Sequence, residues 1–195
     1  MLNIKEGNPW VLWPNHICDT FPENPATKQL TGENNFTLSI NMIVNKVEGV
    51  IGTLFTLLPH YTALDIYEGR LLFTLMNKLG ETNYDELPHP IFDGVQLKVR
   101  IEHVAKDKIE IFISQRLVLS LDLTEKGFAI EDNPHIIFGA GNFPKNGYNL
   151  NYTDISLQEF KIEQDGNLLC HHLFEEFIFD KSVDITGNCN FINKI

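Results

Sequence analysis

Apolar residues recur at every second position over several stretches of this chain. Phe36, Leu38, Ile40, Met42 and Val44 alternate with Thr37, Ser39, Asn41 and Ile43. Successive side chains on a strand point to opposite faces, so this spacing predicts a strand with one buried face. Val95, Leu97, Val99, Ile101 and His103 alternate in the same way with Gln96, Lys98, Arg100 and Glu102. A turn is expected at Ala105-Lys106-Asp107-Lys108, followed by a strand with Ile109, Ile111 and Ile113 on one face. A tight turn at Gln115-Arg116 then leads into a strand over Leu117–Leu123. Three consecutive strands with short turns predict an antiparallel meander.

The remaining pattern is of the same kind. Leu64–Tyr67 and Arg70–Leu75 flank Glu68-Gly69, which reads as a hairpin with a two-residue turn. Further strands are expected over Ile51–Leu58, His135–Gly139, Thr153–Glu163, Leu168–Phe174 and Phe177–Asp180, with a turn signal at Asp165-Gly166. Only Thr124–Asp132 offers a single helical turn. Prolines at positions 9, 14, 22 and 25 exclude a helix from the first thirty residues. Roughly ten to thirteen short strands, with turn signals about every 8–12 residues, predict an all-β sandwich or barrel. Residues 1–30 are expected to form an extended lead-in packing on the sandwich, and residues 31–195 a single sandwich domain.

Composition agrees with the pattern. The 195 residues include 20 Ile and 14 Phe but only 5 Ala. β-branched and aromatic side chains suit a pleated surface, whereas Ala is the best helix former. Fifteen basic residues against 26 acidic ones give a net charge of −11. That field repels phosphate backbones and anionic lipid, which argues against nucleic-acid partners and membrane surfaces. No apolar run is long enough for a helical span, so membrane insertion is not expected. The segment Met1–Gly7 lacks the apolar core of a signal peptide, so synthesis in the cytosol is expected. The three cysteines, Cys18, Cys170 and Cys189, suit reduced thiols; a bridge from Cys18 to Cys189 or Cys170 is the alternative.

The order of strand motifs resembles the laminin-G-like, concanavalin A-like jelly-roll family. Asn34–Ile40 is similar to its opening F-T-I-S strand. Gly52–Leu57, Leu64–Ile66 and Gly69–Phe73 resemble its next hairpins, and Asp93–Leu119 its central block. His135–Gly139 and Asp154–Ile162 resemble its closing strands. The run Phe177-Ile178-Phe179-Asp180 to Asp184-Ile185-Thr186-Gly187-Asn188 is similar to a phrase that often begins such domains, here standing at the end. Where the family often has Asp-Gly or Asn-Gly after its central strand, this chain has Ser114-Gln115-Arg116. The resemblance implies an antiparallel two-sheet jelly-roll sandwich. It does not choose a function, because this fold hosts lectins, glycosidases, lyases, adhesion modules and particle proteins.

Candidate chemistry is sparse. The E-x-D-x-E phrase that places two carboxylates on one strand face in the fold's glucanases is absent. Arg100-Ile101-Glu102-His103 is similar to the Arg/Glu-rich strand of the fold's lyases, but His103 falls on the apolar face of its own alternation and reads as a satisfied core or edge histidine. His171 and His172 are neighbours, so on a strand they face opposite sides and cannot easily chelate one metal. They read as one half-buried and one exposed histidine. Asp180, Asp184 and Asn188 offer oxygen ligands near the C-terminus and are the candidate calcium set; no other cofactor is expected.

The longest polar stretch, residues 140–153, is the candidate binding loop. Asn142, Asn146, Asn149 and Asn151 supply amide donors and acceptors, and Tyr148 and Tyr152 supply rings that stack on sugar faces. The sequence therefore reads as a non-catalytic recognition module that binds carbohydrate or a protein partner through sandwich loops. One alternative is a structural protein of a phage or virus particle, a capsid decoration or tail-associated subunit in a larger assembly. The other is a glycan-active hydrolase or lyase of the same fold.

Overall fold

The computed structural model describes residues 1–4, 10–14, 35–47, 51–58, 62–76, 82–104, 108–123, 135–138, 154–178, 181–184 and 189–193. Among them run fifteen strands: β1 (Leu2–Ile4), β2 (Trp10–Pro14), β3 (Phe36–Lys46), β4 (Ile51–Leu58), β5 (Thr62–Tyr67), β6 (Arg70–Met76), β7 (Thr82–Leu87), β8 (Val95–Val104), β9 (Lys108–Ile113), β10 (Arg116–Asp122), β11 (His135–Phe138), β12 (Asp154–Gln164), β13 (Asn167–Ile178), β14 (Lys181–Asp184) and β15 (Cys189–Asn193). Every pairing is antiparallel. The order along the hydrogen-bonded path is β10-β9-β8-β3-β12-β13-β14-β15-β2-β11-β4-β5-β6-β7, with β1 added alongside β12. The protein is an all-β antiparallel sandwich. None of the described residues form a helix long and apolar enough to cross a membrane.

The layering follows from the apolar faces. β3 is central to one layer, hydrogen-bonded to β8 on one side and β12 on the other. Register sets Leu38 opposite Ile101 and Ile162, Ile40 opposite Val99 and Phe160, and Met42 opposite Leu97 and Leu157. All nine side chains are essentially inaccessible to water. The other layer supplies Leu64, Ile66, Leu71, Phe73, Leu75 and Phe138 to the same apolar cluster. Phe138 on β11 meets Phe160 on β12 edge to face, with ring centroids 5.4 Å apart, and so ties the layers together. Burial of these two faces against each other is the main favourable contribution to the fold.

Three tight hairpin turns carry the backbone strain. Glu68-Gly69, Ser114-Gln115 and Asp165-Gly166 all have positive φ at both central positions. That is the turn whose twist matches the right-handed twist of the flanking strands, and glycine at the second position is its usual answer. The chain uses glycine in two of the three. At Gln115 a side chain is held at φ +71° without it.

Several sequence expectations shift in detail. The β9–β10 turn is Ser114-Gln115 rather than Gln115-Arg116, because Arg116 already pairs with Ile113. β10 loses its alternation: its register slips between Leu117 and Leu119, and Leu117 is 47% exposed. An edge strand with one neighbour tolerates such a bulge. The separate strands expected over Leu168–Phe174 and Phe177–Asp180 are one strand, β13. It carries a register shift between His172 and Phe177 and a buried Phe174 at φ +34°. Of the turn expected at Ala105-Lys106-Asp107-Lys108, Lys108 already belongs to β9 and the other three residues lie outside the described residues, as does the helical turn over Thr124–Asp132. The sequence pattern predicts no strand at β1, β2, β7, β14 or β15. The first and last segments carry prolines, single bridges or too few apolar positions to show a period.

Two stability outcomes follow. Phe160→Ala leaves a void between the layers and should cost about 3–5 kcal/mol, read from urea unfolding. Replacing Ser114-Gln115 with Asn-Gly relieves the left-handed backbone and should raise stability by about 1 kcal/mol, read as a higher thermal midpoint.

Candidate functional site

Because β3, β8 and β12 bury one face, their other face is polar. Register arranges it in rows. In the first row Lys98 on β8 lies opposite Asn41 on β3, which lies opposite Glu159 on β12. In the second, Phe112, Arg100, Ser39, Lys161 and His171 lie in line across five strands, β9, β8, β3, β12 and β13. The third is acidic: Glu110, Glu102, Thr37 and Glu163. Directly opposed like charges are unfavourable on a sheet. Here Glu102 is drawn to Arg100 Nε at 2.7 Å and Glu110 to Lys108 Nζ, which offsets the repulsion between the two acids.

A bulge makes this face possible. Ile155 and Leu157 point inward, and so do Phe160 and Ile162, so the phase of β12 changes between them. Leu157 pairs with Met42 and Glu159 with Asn41, leaving Gln158 as the extra residue. Without that insertion Glu159 and Lys161 would point into the core. Gln158 itself accepts a hydrogen bond from Gln96 Nε2 at 2.9 Å, and the same Nε2 lies 3.1 Å from Asn41 Oδ1.

The first two rows border an open groove of about 420 Å³, lined by Ser39, Asn41, Lys98, Arg100, Ser114, Gln115 and Glu159 together with backbone of the strands. The strained Ser114-Gln115 turn forms one wall, and the Ser114 amide donates to the Lys98 carbonyl at 2.9 Å. A second hollow, about 340 Å³, is lined by Asn35, Thr37, Glu102, His103, Glu163 and Asp165 at the acidic end. In the first groove Glu159 is a fixed anion. Its Oε1 is 2.8 Å from both Lys161 Nζ and His171 Nε2. Burial works against its ionisation, but hydrogen bonds from Lys161 and His171, and the charges on both, outweigh burial and hold the carboxyl below its ordinary value. A carboxylate held this way accepts hydrogen bonds and does not serve as a proton donor at neutral pH.

The residues singled out from sequence meet different outcomes. His103 is 1% exposed and stacks on Phe36 at 5.0 Å, as a core histidine does. His171 and His172 do part to opposite faces. His172 is fully buried and stacks on Phe174 at 5.6 Å, while His171 joins the polar face and is the half-buried member of the pair. The expected exposed histidine is therefore absent from that pair. Cys170 is buried in the apolar cluster. The candidate binding residues Asn142, Asn146, Tyr148, Asn149, Asn151 and Tyr152 lie outside the described residues, as do Asp180, Asn188 and Cys18. Asp184 ends β14, its backbone opposite His172. No trio of His, Cys, Asp or Glu able to hold a metal occurs among the described residues.

Sequence reasoning missed the groove. Lys98, Ser39 and Glu159 are legible in sequence only as polar positions on three separate strands, and Arg100 only as part of a lyase-like Arg/Glu phrase. The Glu102–Glu110 opposition could have been found, because a short turn between two alternating strands fixes their register.

No family model matches this chain, and no curated protein matches it in sequence. Solved structures do share its fold. A candidate carbohydrate-binding protein from Bacteroides ovatus superposes with a TM-score of 0.58 at 12% identity, over 100% of this chain and 59% of that one. The receptor-binding domain of botulinum neurotoxin D gives 0.55 at 14% identity, over 82% of this chain and 39% of that one. The receptor-binding domain of the botulinum neurotoxin C/D mosaic gives 0.51 at 14% identity, over 67% and 33%. This chain thus spans about a third to three fifths of those chains. At such identities the likeness establishes a common β-sandwich.

Glu159→Gln tests the electrostatics. Because the folded-state value is depressed, ionised Glu159 stabilises the protein above the unfolded-state value of about 4.3, and that contribution disappears as pH falls through the lower folded value. Urea unfolding from pH 7 to pH 2.5 should therefore show the variant less stable at neutral pH and equal to the parent at the acid end.

Proposed function

We propose that this chain is a non-catalytic carbohydrate-binding module whose ligand lies in the groove over β3, β8 and β12. The observation that carries this reading is the groove itself. Its volume of about 420 Å³ lies within the roughly 300–1,000 Å³ of small-molecule sites. Its lining sets hydroxyl, amide and charged groups beside Ile40 and Val99, a mixture that suits a sugar, which carries hydroxyls around an apolar ring face. The site is pre-formed on strands, and its outer-face side chains are already held by Gln96–Asn41, Gln96–Gln158 and Lys161–Glu159–His171 contacts.

Fold likeness to a candidate carbohydrate-binding protein and to receptor-binding domains supports a binding role at a coarse level. The chemistry of the face supports a non-catalytic one. Glu159 is a neutralised anion, and Glu102 and Glu110 are each engaged by a neighbouring cation. We place the fold, on the strand motifs, with the laminin-G-like, concanavalin A-like jelly rolls. The Asn/Tyr loop at 140–153 is the second candidate contact surface.

A glycan array with the intact chain tests the reading. Ser39→Trp fills the middle of the groove and should abolish binding without moving the thermal midpoint by more than a few degrees. Tyr148→Ala with Tyr152→Ala should weaken binding if the loop shares the ligand. An array without hits for the parent protein removes the carbohydrate reading.

A further inference from the structure

We propose that the groove selects an anionic sugar, gripping a carboxylate or sulfate with Arg100 and Lys98. This rests on the carbohydrate-binding reading above and adds the charge class of the ligand. Arg100 is held on two sides. The Phe112 ring centroid lies 4.2 Å from the guanidinium carbon, and Nε sits 2.7 Å from Glu102 Oε1, an ion pair by distance without the alignment of a hydrogen bond. The terminal nitrogens Nη1 and Nη2 have no partner among the described residues. They form the fork edge that matches two oxygens of a carboxylate or sulfate. Stacking and the Glu102 contact restrict the side chain before ligand arrives, so little rotamer freedom is lost on binding.

The surroundings fit an anion at that edge. Lys98 is exposed on the same strand face and has no ion-pair partner among the described residues. Ser39 lies directly opposite Arg100, and its short side chain leaves the hollow open while offering a hydroxyl. Glu159 is the one acid in the groove lining, and Lys161 and His171 answer its charge. The acidic row of Glu110, Glu102 and Glu163 lies one step beyond Arg100. It repels an anion from the second hollow and leaves the Lys98 side as the favourable end of the face. On this face, in a chain of net charge −11, that leaves the Arg100 and Lys98 end as the favourable place for an anion.

Calorimetric titration of the intact protein with four trisaccharide probes tests the proposal: a galacturonate, its methyl ester, a sulfated galactan and a neutral galactan. The galacturonate, the sulfated galactan or both should bind at least about tenfold tighter than the ester and the neutral sugar, the scale of one charge-assisted hydrogen bond. The two charged arms tell carboxylate from sulfate. Binding should weaken as salt rises from 0.05 to 0.5 M. Arg100→Lys keeps the charge but loses the fork, and should reduce charged-probe affinity by about tenfold. Lys98→Gln, at an exposed position, should weaken it by a few fold with the thermal midpoint unchanged. Equal affinity for charged and uncharged probes overturns the anion selection while leaving sugar binding intact. Unchanged binding by Arg100→Lys overturns the assigned contact. Failure of every probe, together with an empty glycan array, overturns the carbohydrate reading and this inference with it.

Discussion

The alternation of β3 is the constraint on which the rest depends. Five apolar side chains, Phe36 to Val44, project to one side of this strand, and leaving them in water would cost more than any hairpin could return. β8 and β12 flank it because their own apolar faces continue the same surface. The second layer, with Phe73 and Phe138 at its centre, closes over that surface. Once this is settled, the other side of β3, β8 and β12 has no freedom to be anything but a polar face.

That polar face acquires its character from register rather than from composition. The chain is acidic in net charge, yet antiparallel pairing gathers Arg100, Ser39, Lys161 and His171 into one row and Glu110, Glu102 and Glu163 into the next. The bulge at Gln158 is the decisive local event. It turns Glu159 and Lys161 outward in mid-strand, while the residues on either side keep filling the core. Strain appears beside this face as well, in the Ser114-Gln115 turn that borders the groove without a glycine to relax it.

Much of the layer built on β3 could be read in advance. The strands β3, β8 and β9 announce themselves by period two, β4, β5 and β6 by apolar runs around a hairpin turn, and the Glu68-Gly69 and Asp165-Gly166 turns by their residue types. His103 was placed correctly because its neighbours at every second position are apolar. The misreadings share one cause. Leu117 and Phe174 sit beside breaks in alternation, where a bulge changes the phase that the sequence pattern would continue.

By itself, the sequence determined the secondary-structure period, the layered all-β class and the buried or exposed side of each regular strand. These are local quantities, set by side-chain spacing along a single segment. Tertiary structure alone decided which strands became neighbours, and so which polar side chains met. Lys98, Arg100, Ser39 and Glu159 are separated by up to 120 residues of chain and become one groove only through the register of β8 and β12 on β3. Pairing across a sheet depends on contacts between distant segments, and no single segment carries that information.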